Sequence, residues 1–148
     1  MSRWFPDLST ADGIKAGFNG GAAAAIGFGC FSLLGLAVTF FRGHMPGVDM
    51  ARTDLDRIFA LGGIALEATL AFVAAYRFTR RKGLWIGTIA LLLFLLEIYG
   101  KIATGSLAGG WIFAYAMILL GLINGLRAAW AARTFGPRDE TDLESVFE

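Results

Sequence analysis

The sequence predicts an all-α fold, an integral membrane four-helix bundle with both termini cytoplasmic. Three observations predict it. Of the 148 residues 56% are hydrophobic, the mean hydropathy is +0.61, and four long apolar runs alternate with short clusters of charge and helix breakers, the pattern of a polytopic helical membrane protein. Outside the spans and their short connections only about a dozen residues remain at each end, too few to bury a separate core. One domain is expected. Residues 1–13 read as an interfacial N-terminal segment, 14–132 as the four-transmembrane-helix domain, and 133–148 as an acidic, mobile cytoplasmic tail.

The elements follow in order. Trp4, Phe5 and Leu8 form an apolar approach to helix 1, and Ser9, Thr10 and Asp12 supply capping residues at its entry. Helix 1 is expected over about 14–41, where Ala16 to Phe41 holds 26 uncharged residues, longer than a signal-peptide core, so it reads as a retained anchor. Pro46 and Gly47 break the chain, and Thr53 or Asp54 can cap helix 2, expected over 57–79. "RFTRRKG" is a tight basic turn before helix 3 at 84–102; "ATGSLAGG" leads into helix 4 at 111–132. The tail after the Gly136-Pro137 stop carries five acids against one arginine.

Orientation comes from the basic residues. Nine of them (Arg3, Lys15, Arg77, Arg80, Arg81, Lys82, Arg127, Arg133 and Arg138) fall on the side of the termini and the helix 2–3 turn, against four (Arg42, Arg52, Arg57 and Lys101) on the other. That asymmetry places both termini in the cytoplasm.

Composition excludes several function classes. A net charge of +1 provides no field for nucleic acid, and no basic patch with interleaved aromatics exists. With Cys30 the only cysteine and His44 the only histidine, an intrachain disulfide, a bis-histidine haem within one chain and a zinc site all lack ligands. No metal and no cofactor is expected. No nucleophile–base pair or phosphate loop is visible, so the chain is not expected to be an enzyme.

Polar residues inside the spans are the candidate sites. Glu67, in "GGIALEATLAF", lies about 15 Å deep, near the midplane of a core about 30 Å thick. Gly63 and Ala71 share its face at helical spacing, so its carboxylate should point into the bundle. On helix 3, "LLEIYGK" puts Glu97 and Lys101 four residues apart on one face in the favourable acid-first order. Lys101 can reach Glu97 or the level of Glu67, so Glu67, Glu97 and Lys101 form a candidate intramembrane ionisable cluster. Such a cluster is either a functional site or an ion-pair staple between helices 2 and 3. Asn19, Asn124 and Arg127 form an inner polar layer, read as structural glue between helices 1 and 4. Gly13, Gly17, Gly21, Ala25 and Gly29 repeat every four residues along helix 1. Such a stripe lets another helix approach closely, within this chain or in self-association through helix 1.

The stretch "LAGGWIFAYAMILLGLINGLRAAWAAR" resembles the last helix of small uncharacterised four-helix bacterial inner-membrane proteins, in which an Asn-Gly-hydrophobic-Arg step closes the final span. The resemblance implies a bacterial inner-membrane location and says nothing about activity. Small multidrug-resistance exporters also carry a membrane glutamate, but in their first helix, where this chain has none. Rotor-ring subunits of rotary ATPases pair a glycine-rich helix with a glutamate on the next, which "GIKAGFNGGAAAAIGFG" followed by Glu67 is similar to, without their tighter glycine repeat.

Two functions are therefore expected in competition. The first is a non-enzymatic accessory or assembly subunit of a larger membrane complex, embedded in the lipid bilayer. The second is an oligomeric proton- or cation-coupled small transporter or channel that uses Glu67.

Overall fold

The computed structural model describes residues 5–42, 54–103, 105 and 111–134. Among them the chain is all-helical, with α1 at Ala11–Arg42, α2 at Asp54–Thr79, α3 at Leu84–Ala103 and α4 at Trp111–Thr134. Each helix contains a stretch long and apolar enough to cross a membrane: Ala11–Val38, Leu61–Thr79, Leu84–Ala103 and Trp111–Thr134. His44 and the acidic tail from residue 135 onward lie outside the described residues.

α1 starts at Ala11 rather than Ile14, and the reason is local. Thr10 is its N-cap: the Gly13 amide donates to Thr10 Oγ1 at 3.1 Å, while the Ile14 amide makes the first helical bond to the Thr10 carbonyl at 3.0 Å. Asp7 holds the approach in a tight turn, its Oδ1 accepting from the Ser9 amide at 3.0 Å and the Ser9 hydroxyl at 2.7 Å. These two bonds hold the exposed Asp7 carboxyl below its ordinary value of 3.8.

At the other end of α2 the chain reverses through Arg81. The Lys82 amide donates to the Arg77 carbonyl and the Arg81 amide to the Phe78 carbonyl, both at 2.9 Å, the paired bonds of a Schellman stop. Arg81 occupies the left-handed position of that motif with φ 53°, where glycine is the usual residue because it has no Cβ to crowd the carbonyl.

The helices form a ring in chain order. α1 packs most extensively against α2 and α4, and α3 closes the ring with lighter contacts to the same two helices. Because α1 is apolar on every side, polarity does not choose which face turns inward; volume does. Gly17, Gly21 and Ala24 meet Ala128, Gly125 and Gly121 of α4, so closely that a Cβ on Gly21 would lie 2.6 Å from the Gly125 Cα.

One ring fills the half of the bundle that holds the α2–α3 turn. Phe78 of α2 is fully buried and reaches three other helices at glycines: Cβ atoms at Gly21, Gly87 and Gly125 would stand 3.3, 2.5 and 3.2 Å from its ring. Phe18 packs beside it, centroids 6.4 Å apart. In the other half Phe28 of α1 and Phe94 of α3 meet across the bundle axis edge to face at 4.9 Å, and Phe94 stacks on Tyr115 of α4 at 5.3 Å. Aromatic pairs in these geometries attract beyond their area burial.

Candidate functional site

A rung of polar side chains sits beside that aromatic layer, and all four helices contribute to it. On one side, Ser32 of α1 is buried and its hydroxyl lies 3.2 Å from the Phe28 carbonyl and 3.4 Å from Glu67 Oε2 of α2. On the other, the Tyr115 hydroxyl of α4 donates to Glu97 Oε1 of α3 at 2.5 Å. Lys101 Nζ lies 3.3 Å from the same oxygen and 5.5 Å from the centre of the Tyr115 ring. Phe31 of α1 flanks that ring at 6.0 Å and also meets Trp111 at 5.4 Å. Glu67 lies within electrostatic range of Glu97, Lys101 and Tyr115.

The structure therefore brings Glu67, Glu97 and Lys101 together but joins them differently from a staple between α2 and α3. Lys101 pairs with Glu97 one turn away on its own helix, as the acid-first spacing favours. The links between helices are Ser32–Glu67, which ties α1 to α2, and Tyr115–Glu97, which ties α3 to α4. Glu67 takes a neutral hydroxyl as its hydrogen-bond partner, and Glu97 Oε2 is buried with no hydrogen-bond partner.

Ser32 and Tyr115 were not singled out by sequence reasoning, because each is a lone hydroxyl with no polar residue at helical spacing beside it. A signal was present: Ser32 is the one hydroxyl between Ala16 and Val38, and Tyr115 is the sole phenol of α4. Tyr99, nearer to Glu97 in sequence, is 70% exposed on another face of α3. Gly63, expected beside Glu67 on an inward strip, is exposed and a Cβ there would meet nothing within 4 Å; the close contacts of α2 begin at Ala68 and Ala71.

The inner layer is smaller than expected. Arg127 Nη1 donates to Asn124 Oδ1 at 3.4 Å, and the guanidinium also covers the Phe5 ring at 5.2 Å, but Asn19 does not join them. It is exposed, because Gly17 and Gly21 occupy the face turned to α4 and a residue two positions from Gly17 points about 200° around the helix.

All five stripe residues, Gly13, Gly17, Gly21, Ala25 and Gly29, are buried within the chain. Gly17 and Gly21 face α4, Gly29 faces the Phe72 ring of α2, and Gly13 faces the Asp7 carbonyl. That face of α1 is already occupied, so self-association through α1 would use the opposite one, where Ala23, Ile26 and Cys30 are exposed. Comparison of the chain with protein-family models, curated proteins and solved structures returns no match.

Proposed function

We propose that this chain is a multi-pass protein of a bacterial inner membrane, with both termini cytoplasmic, whose polar rung binds a proton or a cation in coupled transport by an oligomer. The observation that carries the proposal is the environment of Glu67: a carboxylate in a membrane span whose hydrogen-bond partner is a neutral hydroxyl, with a second acid and a lysine nearby. Ionisable groups inside a bilayer are costly and persist where they pair or where they mark a path for ions or protons. Pairing explains Glu97 and Lys101. It does not explain Glu67, which is the group left to load and unload. Tyr115 and Lys101 hold Glu97 in place, and no covalent chemistry is assigned to any residue.

The test is flux. Protein reconstituted in proteoliposomes with a pH-sensitive dye in the lumen should dissipate an imposed proton or cation gradient, and Glu67→Gln should abolish that flux while leaving the fold unchanged. A wild type that moves neither protons nor alkali cations removes the proposal.

A second reading, an accessory subunit of a larger complex, is favoured by the lopsided packing. α3 is the helix least covered by its own chain, with Trp85 75% and Leu96 66% exposed, and a partner helix seated there would complete the ring's weak side. Co-purification of a larger complex in mild detergent would support it, and a lone monomer would count against it.

A further inference from the structure

We propose that the cavity between the α2–α3 turn and the end of α4 binds the phosphate headgroup of an anionic phospholipid. The cavity, ≈ 350 Å³, is lined by Arg77, Arg81, Lys82 and Arg133, with Gly83 and Trp85 at its side and apolar residues of α3 and α4 behind them. Four cations converge on it from three elements, and no acid is among its described lining residues. The start of α3 adds to them. Its first helical bond runs from the Gly87 amide to the Gly83 carbonyl, so the amides of the preceding turn have no partner inside the helix and the positive end of the helix dipole faces the same space.

Two features choose a lipid phosphate over other anions. The cavity lies where three membrane-length helices end, which in a bundle that spans a bilayer is the level of the headgroups, and basic pockets between helices at that level suit anionic lipid. It also joins a charged mouth to an apolar wall beside an exposed tryptophan, which matches a phosphate attached to glycerol and acyl chains.

The inference rests on the membrane reading above and not on the role of Glu67. The test uses full-length chain with Trp85 as its only tryptophan (W4F, W111F, W130F) in bilayers containing brominated phosphatidylglycerol or brominated phosphatidylcholine. Bromine quenches tryptophan on contact, so relative quenching reports which lipid occupies the site. Phosphatidylglycerol is expected to be preferred about tenfold, and Lys82→Gln or Arg133→Gln, both exposed, should each lower that preference about fivefold. Arg80→Gln is the charge-matched control, since Arg80 covers the Tyr76 ring and does not line the cavity. It should leave the preference unchanged. Equal quenching by the two lipids in the parent, or an equal loss in R80Q, overturns the site. A preference abolished by inorganic phosphate at constant ionic strength assigns the cavity to a soluble anion and overturns the lipid. No quenching by either lipid overturns the membrane reading and this inference together.

Discussion

Tyr115 and Glu97 join α4 to α3 by a 2.5 Å hydrogen bond from phenol to carboxylate, and the Tyr115 ring is at the same time stacked on Phe94. One side chain thus completes both the aromatic layer and the polar rung. Tyr115→Phe should keep the stack and lose the bond, lowering stability by about 1 kcal/mol, since bonds between helices in membranes are worth less than the desolvation argument suggests. Tyr115→Ala should cost several times more. Reversible unfolding in mixed micelles compares the two, and equal losses would show that the hydroxyl contributes nothing.

The α1–α4 seam makes an opposed pair of predictions. Gly21→Ala places a methyl against the backbone of Gly125 and should destabilise by about 1–3 kcal/mol, the range for overpacking a close contact. Gly20→Ala meets nothing within 4 Å and should be neutral or stabilise by up to about 1 kcal/mol through helix propensity. A thermal-shift comparison in detergent decides, and it fails if the two variants behave alike.

Phe78 should be the most costly single truncation. Its ring is fully buried against glycines of three helices, and glycines have no side chains with which to fill the space. Phe78→Ala should cost roughly 3–5 kcal/mol. A loss below 1 kcal/mol in the same unfolding assay would mean the bundle can collapse around the void.

The entry to α1 carries a pH prediction. Asp7 titrates below its ordinary value because its ionised form accepts two bonds from Ser9. With the folded pKa depressed, the turn's contribution is present above the unfolded value and is lost as pH falls through the folded one. Protection of the Ser9 amide relative to its intrinsic exchange rate at each pH, followed by NMR in micelles, should therefore hold from neutrality downward and be lost only in acid below the usual aspartate range. Thr10→Ala should fray the first turn of α1 by about 1 kcal/mol at any pH. Loss of that protection well above pH 4 would exclude Asp7 as the cause.

Much of this architecture is legible without coordinates. Hydropathy is a property of consecutive residues, so the four apolar runs alone determine four helices, and the end at Thr79 and the starts at Leu84 and Trp111 follow from Gly83, the "RFTRRKG" turn and the glycines before Trp111. Spacing within one helix is local as well, which is why Glu97 and Lys101 pair as their four-residue interval suggests.

The partners between helices are a different matter. In α1 every face is apolar, so no amphipathic pattern says which side turns inward; Gly17 and Gly21 face α4 and leave Asn19 outside because their contact with Gly125 and Ala128 permits the closest backbone approach. Glu67 was visible as an acid within a span, yet its hydrogen-bond partner is Ser32, while Lys101 pairs with Glu97. The position of a side chain across a bundle depends on helix rotation and register, which are set by how Phe78, Phe28 and Phe94 fill the space between helices, and that volume exists only once the four helices have come together.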